Sequence, residues 1–593
     1  MTTRNYDLAV AIGGEAGQGI ATPGDILARI FVRRGLHLNA YNAYQSIIRG
    51  GHIFLTVRVS DEECPTHGDK LDILLCLNQD TMDRHLHLMG PGSKVIYNSD
   101  TIEPGEAAEG VGLCPIPVSE LSQSRNRLIQ NTIAVGVMSA LVGLEFETIE
   151  DSLSLRFQRQ GEKIVSENVS VARAGYDYAL ENFEAFPELL PSGEKPLGVW
   201  AGNDAVAMGA AAAGVKFYAA YPMSPSSGIL HWMAQNARNL GIMVRQVEDE
   251  IGVANMVIGA AHTGVRAMCG TSGGGFALMT EAVGAAGMME IPVVYVDVQR
   301  AGPSTGVPTK TEQGDLWQML GASQGDYERF IVAPTDALDA FNTMPELFNL
   351  CDKAQCPGLV LIDLLIGEGR FSFDPDDIDM HPSINRGELI TEGTLSGETY
   401  QRYKDTDSGI SPRAIAGLEG YVHTVVTDEH DEDGVLISDE FTNPHKRRKM
   451  VEKRARKFQN VIDDVPPPEL EGEKSADVTL IGWGSTYGVI KEAIAQLADQ
   501  GVTVNHLPVK WIIPLHGDAI VDILSSSKKT IIIENNYSGQ FARYLRSETG
   551  FAPDGHIRKY DGEPFMPHHI VDGVLEQLAG KTNHYVPYQE VIV

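Results

Sequence analysis

The chain has 593 residues, with 79 acidic against 47 basic side chains and a formal net charge of −32. That length accommodates about three or four domains, and the charge argues against nucleic acid as a partner. The six cysteines are scattered and form no C-x-x-C, so no disulfide framework, zinc site or iron–sulfur site is visible in their spacing. The start MTTRNYDLAVAIGG lacks the basic–apolar–small layout of a leader, and no apolar run reaches about 18 residues. A cytoplasmic protein without membrane contact is expected.

Tyr6–Ile12 reads as a strand that runs into Gly13-Gly-Glu-Ala-Gly-Gln-Gly19, with a helical pattern over Ile20–Arg34. Strand, glycine turn and helix can cradle an anion, because N–H groups at a helix start point at the ligand. A tight strand–helix turn accounts for the same residues, and the Lys-[Ser/Thr] of a P-loop and the G-x-G-x-x-G spacing are both missing. The polar loop Ala40–His52 carries Arg49 before Gly50-Gly51, where backbone could approach a ligand closely. The rest, to about residue 186, alternates β-prone and helical runs as a single α/β domain. Residues 187–196, proline-rich and without an apolar period, read as a linker.

A second domain is expected over 197–370. Gly198–Asp204 reads as its first strand-to-helix turn, and Val215–Tyr221 as a strand that ends in the loop Pro222–Ser227. Glu250–His262 has helical apolar spacing and Arg266–Thr271 is β-prone. Glycines 273–275 then precede a small-residue helix, Phe276–Met289. Val293–Val298 is an unalternated β-branched run, as in parallel strands covered on both faces. In such open α/β sheets ligands sit outside the carboxyl ends of the strands. The glycine turn and the loop Gln299–Lys310 are the two places that fit.

Residues 371–474 are the least regular part. They contain the acidic DEHDEDG (Asp428–Gly434) and a basic run, Lys446–Lys457. The acidic hexad reads as a solvated turn, with a hard-cation site as the alternative. The basic run reads as an exposed helix face, with docking of an acidic protein as the alternative. Strand–turn–helix grammar returns over 475–593, where Asn535-Asn536 stands at a strand end and capping explains it as readily as a site.

The segment TSGGGFALMTEAVGAAGMMEIPVVYVDVQRAGPSTGVPTKTEQGD and the element Tyr221-Pro-Met-Ser-Pro-Ser-Ser227 closely resemble the α subunit of 2-oxoacid:ferredoxin oxidoreductases. GGEAGQG and SIIRGGH resemble the γ subunit of that family, fused ahead of the α part. The C-terminal stretch resembles the C-terminal domain of transketolase-type enzymes. The resemblance implies a multidomain α/β fold with open, mostly parallel sheets and a central domain of the type that binds the pyrimidine of thiamine diphosphate. It implies oxidative decarboxylation of a 2-oxoacid with transfer of the acyl group to coenzyme A and of electrons to ferredoxin. The fused layout is most like the 2-oxoglutarate members, with pyruvate or branched-chain 2-oxoacids as alternatives. A non-catalytic scaffold that kept the fold is the reading of a different class.

The resemblance also assigns residues. Glu250 becomes the carboxyl partner of the cofactor pyrimidine, with Glu248 as runner-up. Arg300, presented at a strand end, can grip the reacting carboxylate bidentately, and Ser224 offers a hydroxyl. Arg49 becomes the candidate for a distal substrate carboxylate, and Gly14, Gly17 and Gly19 for coenzyme A. The family often has proline where Gly274 stands and glycine at Ala301. No Gly-Asp-Gly metal motif and no cluster-cysteine spacing occurs in the chain. The magnesium site and the [4Fe-4S] cluster are therefore expected on a separate β subunit, with an (αβ)2 assembly.

Overall fold

The computed structural model describes residues 5–45, 50–122, 127–397, 399–437 and 443–588; Arg49 lies outside them. Seven strands of the N-terminal half are β1 (Asp7–Ala16), β2 (His37–Ala43), β3 (Gly50–Ser60), β4 (Ile73–Cys76), β5 (Lys94–Asn98), β6 (Gly112–Ile116) and β7 (Gly198–Ala201). They form one mixed sheet in the order β6-β5-β4-β1-β3-β2, completed by the strand Arg370–Phe373 and then β7. The strand β1 is parallel to β4 but antiparallel to β3, which returns beside it and brings Gly50 opposite Ala16. The helix α1 (Ala21–Arg33) buries Ile26, Leu27, Ile30 and Phe31 against this sheet.

The strand β7 was expected to open the second domain. It pairs instead with Arg370–Phe373, and that strand pairs with β2, so both extend the first sheet. The two stretches before and after the central sheet thus join it to the N-terminal unit.

The central sheet uses β8 (Val215–Ala220), β9 (Met243–Gln246), β10 (Arg266–Thr271), β11 (Val294–Gln299), β12 (Phe330–Val332) and β13 (Gly358–Asp363). Its order is β12-β13-β11-β10-β8-β9, all parallel, with the C-terminal strand Trp511–Ile513 added antiparallel to β12. Every residue of β10, β11 and β13 is buried, as their unalternated apolar sequences require. The chain leaves β8 for β9 on one side and then crosses to β10 on the other. The loops that follow β8 and β10 therefore diverge, which opens a crevice at their carboxyl ends.

Five helices matter below: α2 (Gly202–Ala212), α3 (Glu250–His262), α4 (Gly273–Met288), α5 (Leu316–Leu320) and α6 (Pro444–Gln459). The glycines 273–275, expected as a turn, form the first turn of α4, with Ser272 in extended backbone as its N-cap. A third sheet, all parallel, orders strands 504–508, 478–482, 530–534, 555–558 and 584–585.

The basic run lies on α6, but a third of it is inside the protein. Met450, Lys453, Arg454 and Lys457 are buried. The acidic hexad is its counterpart: Lys446 pairs with Asp431 (3.0 Å), Arg454 with Glu429 (2.9 Å) and Lys449 with Glu432 (2.6 Å). These two segments neutralise each other, which corrects the separate readings of a solvated turn and an exposed face. Among the described residues no helix is long and apolar enough to cross a membrane.

Candidate active site

Glu250 is the first residue of α3. Asp249 caps that helix by accepting from Gly252 N (3.0 Å), which turns Glu250 inward. Its side chain is 3% exposed, and its Oε1 has no hydrogen-bond partner. Burial, and then the neighbouring Asp249 and Glu248 charges, push its carboxyl above the usual range. Glu248 and Asp249 are exposed. Gly275 makes room for Glu250: a Cβ there would stand 2.6 Å from Glu250 Oε1 and 2.1 Å from Thr271 Oγ1.

From Thr271 at the end of β10 the contacts continue to the loop after β8. Thr271 Oγ1 lies 4.0 Å from Met223 Sδ, and the next residue is Ser224, which is exposed. Asn203 at the start of α2 donates to Pro225 O (2.9 Å), and Ser226 Oγ donates to Met223 O (2.8 Å), which fixes the loop. Arg300 reaches the same loop from the end of β11 and donates from Nη1 to Ser224 O (2.7 Å). Burial pulls its guanidinium below the usual range, while Asp315 and Asp297 oppose that shift. Three of the sequence-derived residues, Glu250, Ser224 and Arg300, thus stand around the mouth of the crevice between β8 and β10. A side chain at Gly274 would meet only Ser304 O at 3.8 Å, so the position is open.

Buried polar atoms without partners gather here. Besides Glu250 Oε1 they are Ser272 Oγ, Asn203 Oδ1, both Asp297 oxygens, Asp315 Oδ2 and Arg300 Nε. Native interiors leave few such atoms, so a cluster at strand ends marks a place built for a ligand. Sequence reasoning missed Asn203, Ser272, Asp297 and Asp315. Asp297 had a readable signal, a carboxyl inside the buried run VVYVDVQ.

The turn with Gly14, Gly17 and Gly19 stands apart from this cluster. Gly17 and Gly19 have φ of 91° and 84°, conformations that favour glycine. They line a cavity of about 400 Å3 together with Glu15, Asp25, Glu368 and Arg370, and Glu250, Ser224 and Arg300 do not line it. Arg370 is paired with Asp25. Among the described residues that line it, acidic groups outnumber basic ones.

Asn535 and Asn536 serve as fasteners. Asn535 N donates to Gln313 Oε1 (3.0 Å), and Asn536 Oδ1 accepts from Gly539 N (2.7 Å). They hold the end of the loop Arg300–Asp315 against the C-terminal domain.

The comparisons with known proteins cover the whole architecture. Residues 208–453 match the family model for pyruvate flavodoxin/ferredoxin oxidoreductase, thiamine diphosphate-binding. Residues 9–178 match that for pyruvate ferredoxin/flavodoxin oxidoreductase, and 470–585 the transketolase C-terminal domain. The α subunit of 2-oxoacid:ferredoxin oxidoreductase 2 of Aeropyrum pernix is 31% identical over 96% of this chain and 97% of its own length. The 2-oxoglutarate oxidoreductase subunit KorA of Mycobacterium tuberculosis is 30% identical over 98% and 92%. A structure of the 2-oxoglutarate:ferredoxin oxidoreductase of Magnetococcus marinus, with 2-oxoglutarate, coenzyme A and succinyl-CoA bound, superposes with a TM-score of 0.89. It is 33% identical and covers 97% of this chain and all of that one. Fold, site and full-length relatives agree: this chain belongs to the 2-oxoacid:ferredoxin oxidoreductase family, as an α subunit.

Proposed function

We propose that this chain supplies the proton-handling and substrate-gripping half of a thiamine diphosphate site that decarboxylates 2-oxoglutarate and forms succinyl-CoA. The observation that carries the reading is the Glu250 carboxyl, buried at the switch point with an oxygen unpartnered. Bound thiamine diphosphate supplies the nucleophilic carbon and the electron sink of the decarboxylation. Glu250 would hold the pyrimidine ring of that cofactor and, with its raised pKa, hold or release a proton at Oε1. Arg300, desolvated on its inner side and held to Ser224 O, turns its remaining N–H donors toward the carboxylate that leaves as carbon dioxide. The Ser224 hydroxyl lies beside it, within the same loop. The substrate and coenzyme A come from the full-length relatives named above, and the electron acceptor is a ferredoxin. Gly14, Gly17 and Gly19 stay the proposed approach for coenzyme A, with Gly17 and Gly19 in backbone conformations that favour glycine.

A partner chain completes the site. Ile251 and Met256 on α3, Leu278 on α4 and Trp317 on α5 are exposed apolar side chains on the helices around Glu250, the kind of surface another chain covers. The chain by itself is expected to take up thiamine diphosphate weakly and to show no iron–sulfur absorbance. Purified chain with stoichiometric cluster iron would overturn the division of labour.

Arg300→Ala is the direct test of the substrate reading. Losing one side of a buried charged contact costs about 2–5 kcal/mol, roughly 30-fold to several-thousand-fold in affinity. The loss is expected for every 2-oxoacid, because all share the reacting carboxylate. Arg300→Lys keeps the charge without the fork and is expected to recover part of kcat/KM. Steady-state kinetics of the assembled enzyme with an artificial acceptor decide it; unchanged KM in Arg300→Ala removes the assignment.

A further inference from the structure

The loop that Arg300 begins is closed by its own backbone. Ala301 N donates to Lys310 O (3.0 Å), Val307 N to Ala301 O (2.8 Å) and Lys310 N to Val307 O (3.1 Å). Arg300 therefore stands one residue from a neck whose other side is Lys310. Just past the neck, Thr311 N donates to Gly562 O (3.0 Å), and a Cβ on Gly562 would stand 2.9 Å from Lys310 Cβ. The neck thus lies directly on residues 562–563 of the C-terminal domain.

Glu563 holds this contact from two sides. Its Oε1 is ion-paired with Lys310 Nζ, and its Oε2 accepts from the Tyr41 hydroxyl (3.1 Å). Tyr41 comes from β2 of the N-terminal sheet and is buried. Ala40 and Asn42, on either side of it, line the cavity beside the glycine turn, so Tyr41 points to the opposite face of the sheet. Burial, and then the Glu563 charge, keep the Tyr41 proton on far above the usual range, so its hydroxyl stays a donor. One carboxylate thus joins the N-terminal sheet, the Arg300 loop and the C-terminal domain.

We propose that Glu563 is a positioning residue for Arg300: it fixes Lys310, and with it the neck of the substrate loop, while Tyr41 orients the Glu563 carboxylate. This rests on the reading of Arg300 as the substrate-carboxylate residue. The Lys310 and Glu563 side chains are 16% and 25% exposed, so their charges are desolvated enough for the pair to hold one geometry. A neutral side chain at 563 releases the Lys310 ammonium toward water. The neck then rests on its backbone contacts alone, and Arg300 is held less firmly at the crevice. A displacement of this size at a gripping residue is felt in substrate binding before it is felt in folding.

The experiment measures KM and kcat for 2-oxoglutarate, and KM for coenzyme A, in the assembled enzyme with an artificial acceptor. Glu563→Gln is expected to raise KM for 2-oxoglutarate about 10-fold, the loss of one charge-assisted contact, and to leave KM for coenzyme A in place. Tyr41→Phe deletes one oxygen and is expected to raise the same KM about 3-fold. In the Glu563→Gln background it should add nothing further, because it acts through that carboxylate. His568→Ala is the control: His568 Nδ1 pairs with Asp69 (2.7 Å), which joins the same two units away from the loop, and its KM should match wild type. Equal KM increases in His568→Ala and Glu563→Gln would assign the effect to docking of the units and overturn the proposal. So would a lower melting point in Glu563→Gln with KM unchanged, the mark of a merely structural contact. Should Glu563→Gln fail to assemble, an unchanged KM in Tyr41→Phe overturns the proposal by itself. Arg300→Ala with unchanged KM would sink the Arg300 reading instead. Arg300→Ala impaired with Glu563→Gln normal would sink this inference alone.

Discussion

Glu250→Gln is expected to assemble normally and to lose decarboxylation by about 10²–10⁴-fold, the usual worth of a positioned acid–base group. The amide keeps the size and the polar contacts of the carboxyl but can neither hold nor release a proton at Oε1. Folding is not expected to suffer. A carboxyl whose pKa is raised in the folded state favours folding at low pH, and that contribution is lost as pH rises through its folded pKa. At neutral pH the native carboxylate is thus a burden, and the neutral amide relieves it. Activity lost with stability held or gained is the signature of a group kept for chemistry. Glu248→Gln is the control, since Glu248 is exposed and only adds to the field that raises Glu250. Single-turnover carbon dioxide release and thermal melting of both variants give the answer. Full decarboxylation by Glu250→Gln, or its loss in Glu248→Gln, would shift the role within the acidic triplet.

The central sheet was legible because its signals are local. The helix Glu250–His262 and the strand Arg266–Thr271 appear in the structure with the residues that apolar spacing assigned. Glu250, Ser224 and Arg300 were legible for the same reason, since each ends or begins such an element. The glycines 273–275 were misplaced by one element because glycine marks turns more often than first helical turns. Here Asp315 crowds Gly273, and Thr271 and Glu250 crowd Gly275, so closely that only glycine fits at those two positions. Pairings between distant segments left no local trace. Nothing around Gly198 shows that β7 pairs with Arg370–Phe373. The acidic hexad and the basic run are complementary charges that pair across 15 to 25 residues, but burial decides which of them meet. Lys453 and Lys457 look like solvent-facing residues until Glu290 is placed between them.

Glu290 gives the largest expected effect on stability. It is fully buried between α4 and β11 and accepts from Lys453 Nζ at 2.7 and 2.9 Å and from Lys457 Nζ at 2.6 Å. Arg402 donates to its backbone oxygen (2.7 Å), and Lys457 Nζ also reaches Gln355 O (3.2 Å). Burial works against the charge, but the two ammonium groups win and hold the carboxyl far below its usual range. Glu290→Gln leaves two buried lysines and no anion. Breaking a buried ion pair from one side costs about 3–5 kcal/mol, because the remaining charge has no compensation. Lys453→Met is expected to cost less, since the Glu290–Lys457 pair survives it. Lys446→Ala removes a partly exposed pair with Asp431, of a kind worth about 0–1 kcal/mol. The pH dependence separates charge from packing. Burial has already lowered the Lys453 ammonium to about 8. Without Glu290 its folded pKa falls further, and a lysine depressed in the folded state costs stability wherever the unfolded chain keeps the proton. That cost shrinks as pH approaches the ordinary lysine value of 10.5. Wild type keeps that proton up to about pH 8, so the unfolding midpoints of Glu290→Gln and wild type are expected to draw together as pH rises toward 8 and to run in parallel above it, with α6 the first segment opened to protease at neutral pH. A midpoint for Glu290→Gln equal to wild type at neutral pH, or a gap that widens as pH rises, would show that the buried cations do not depend on this carboxylate.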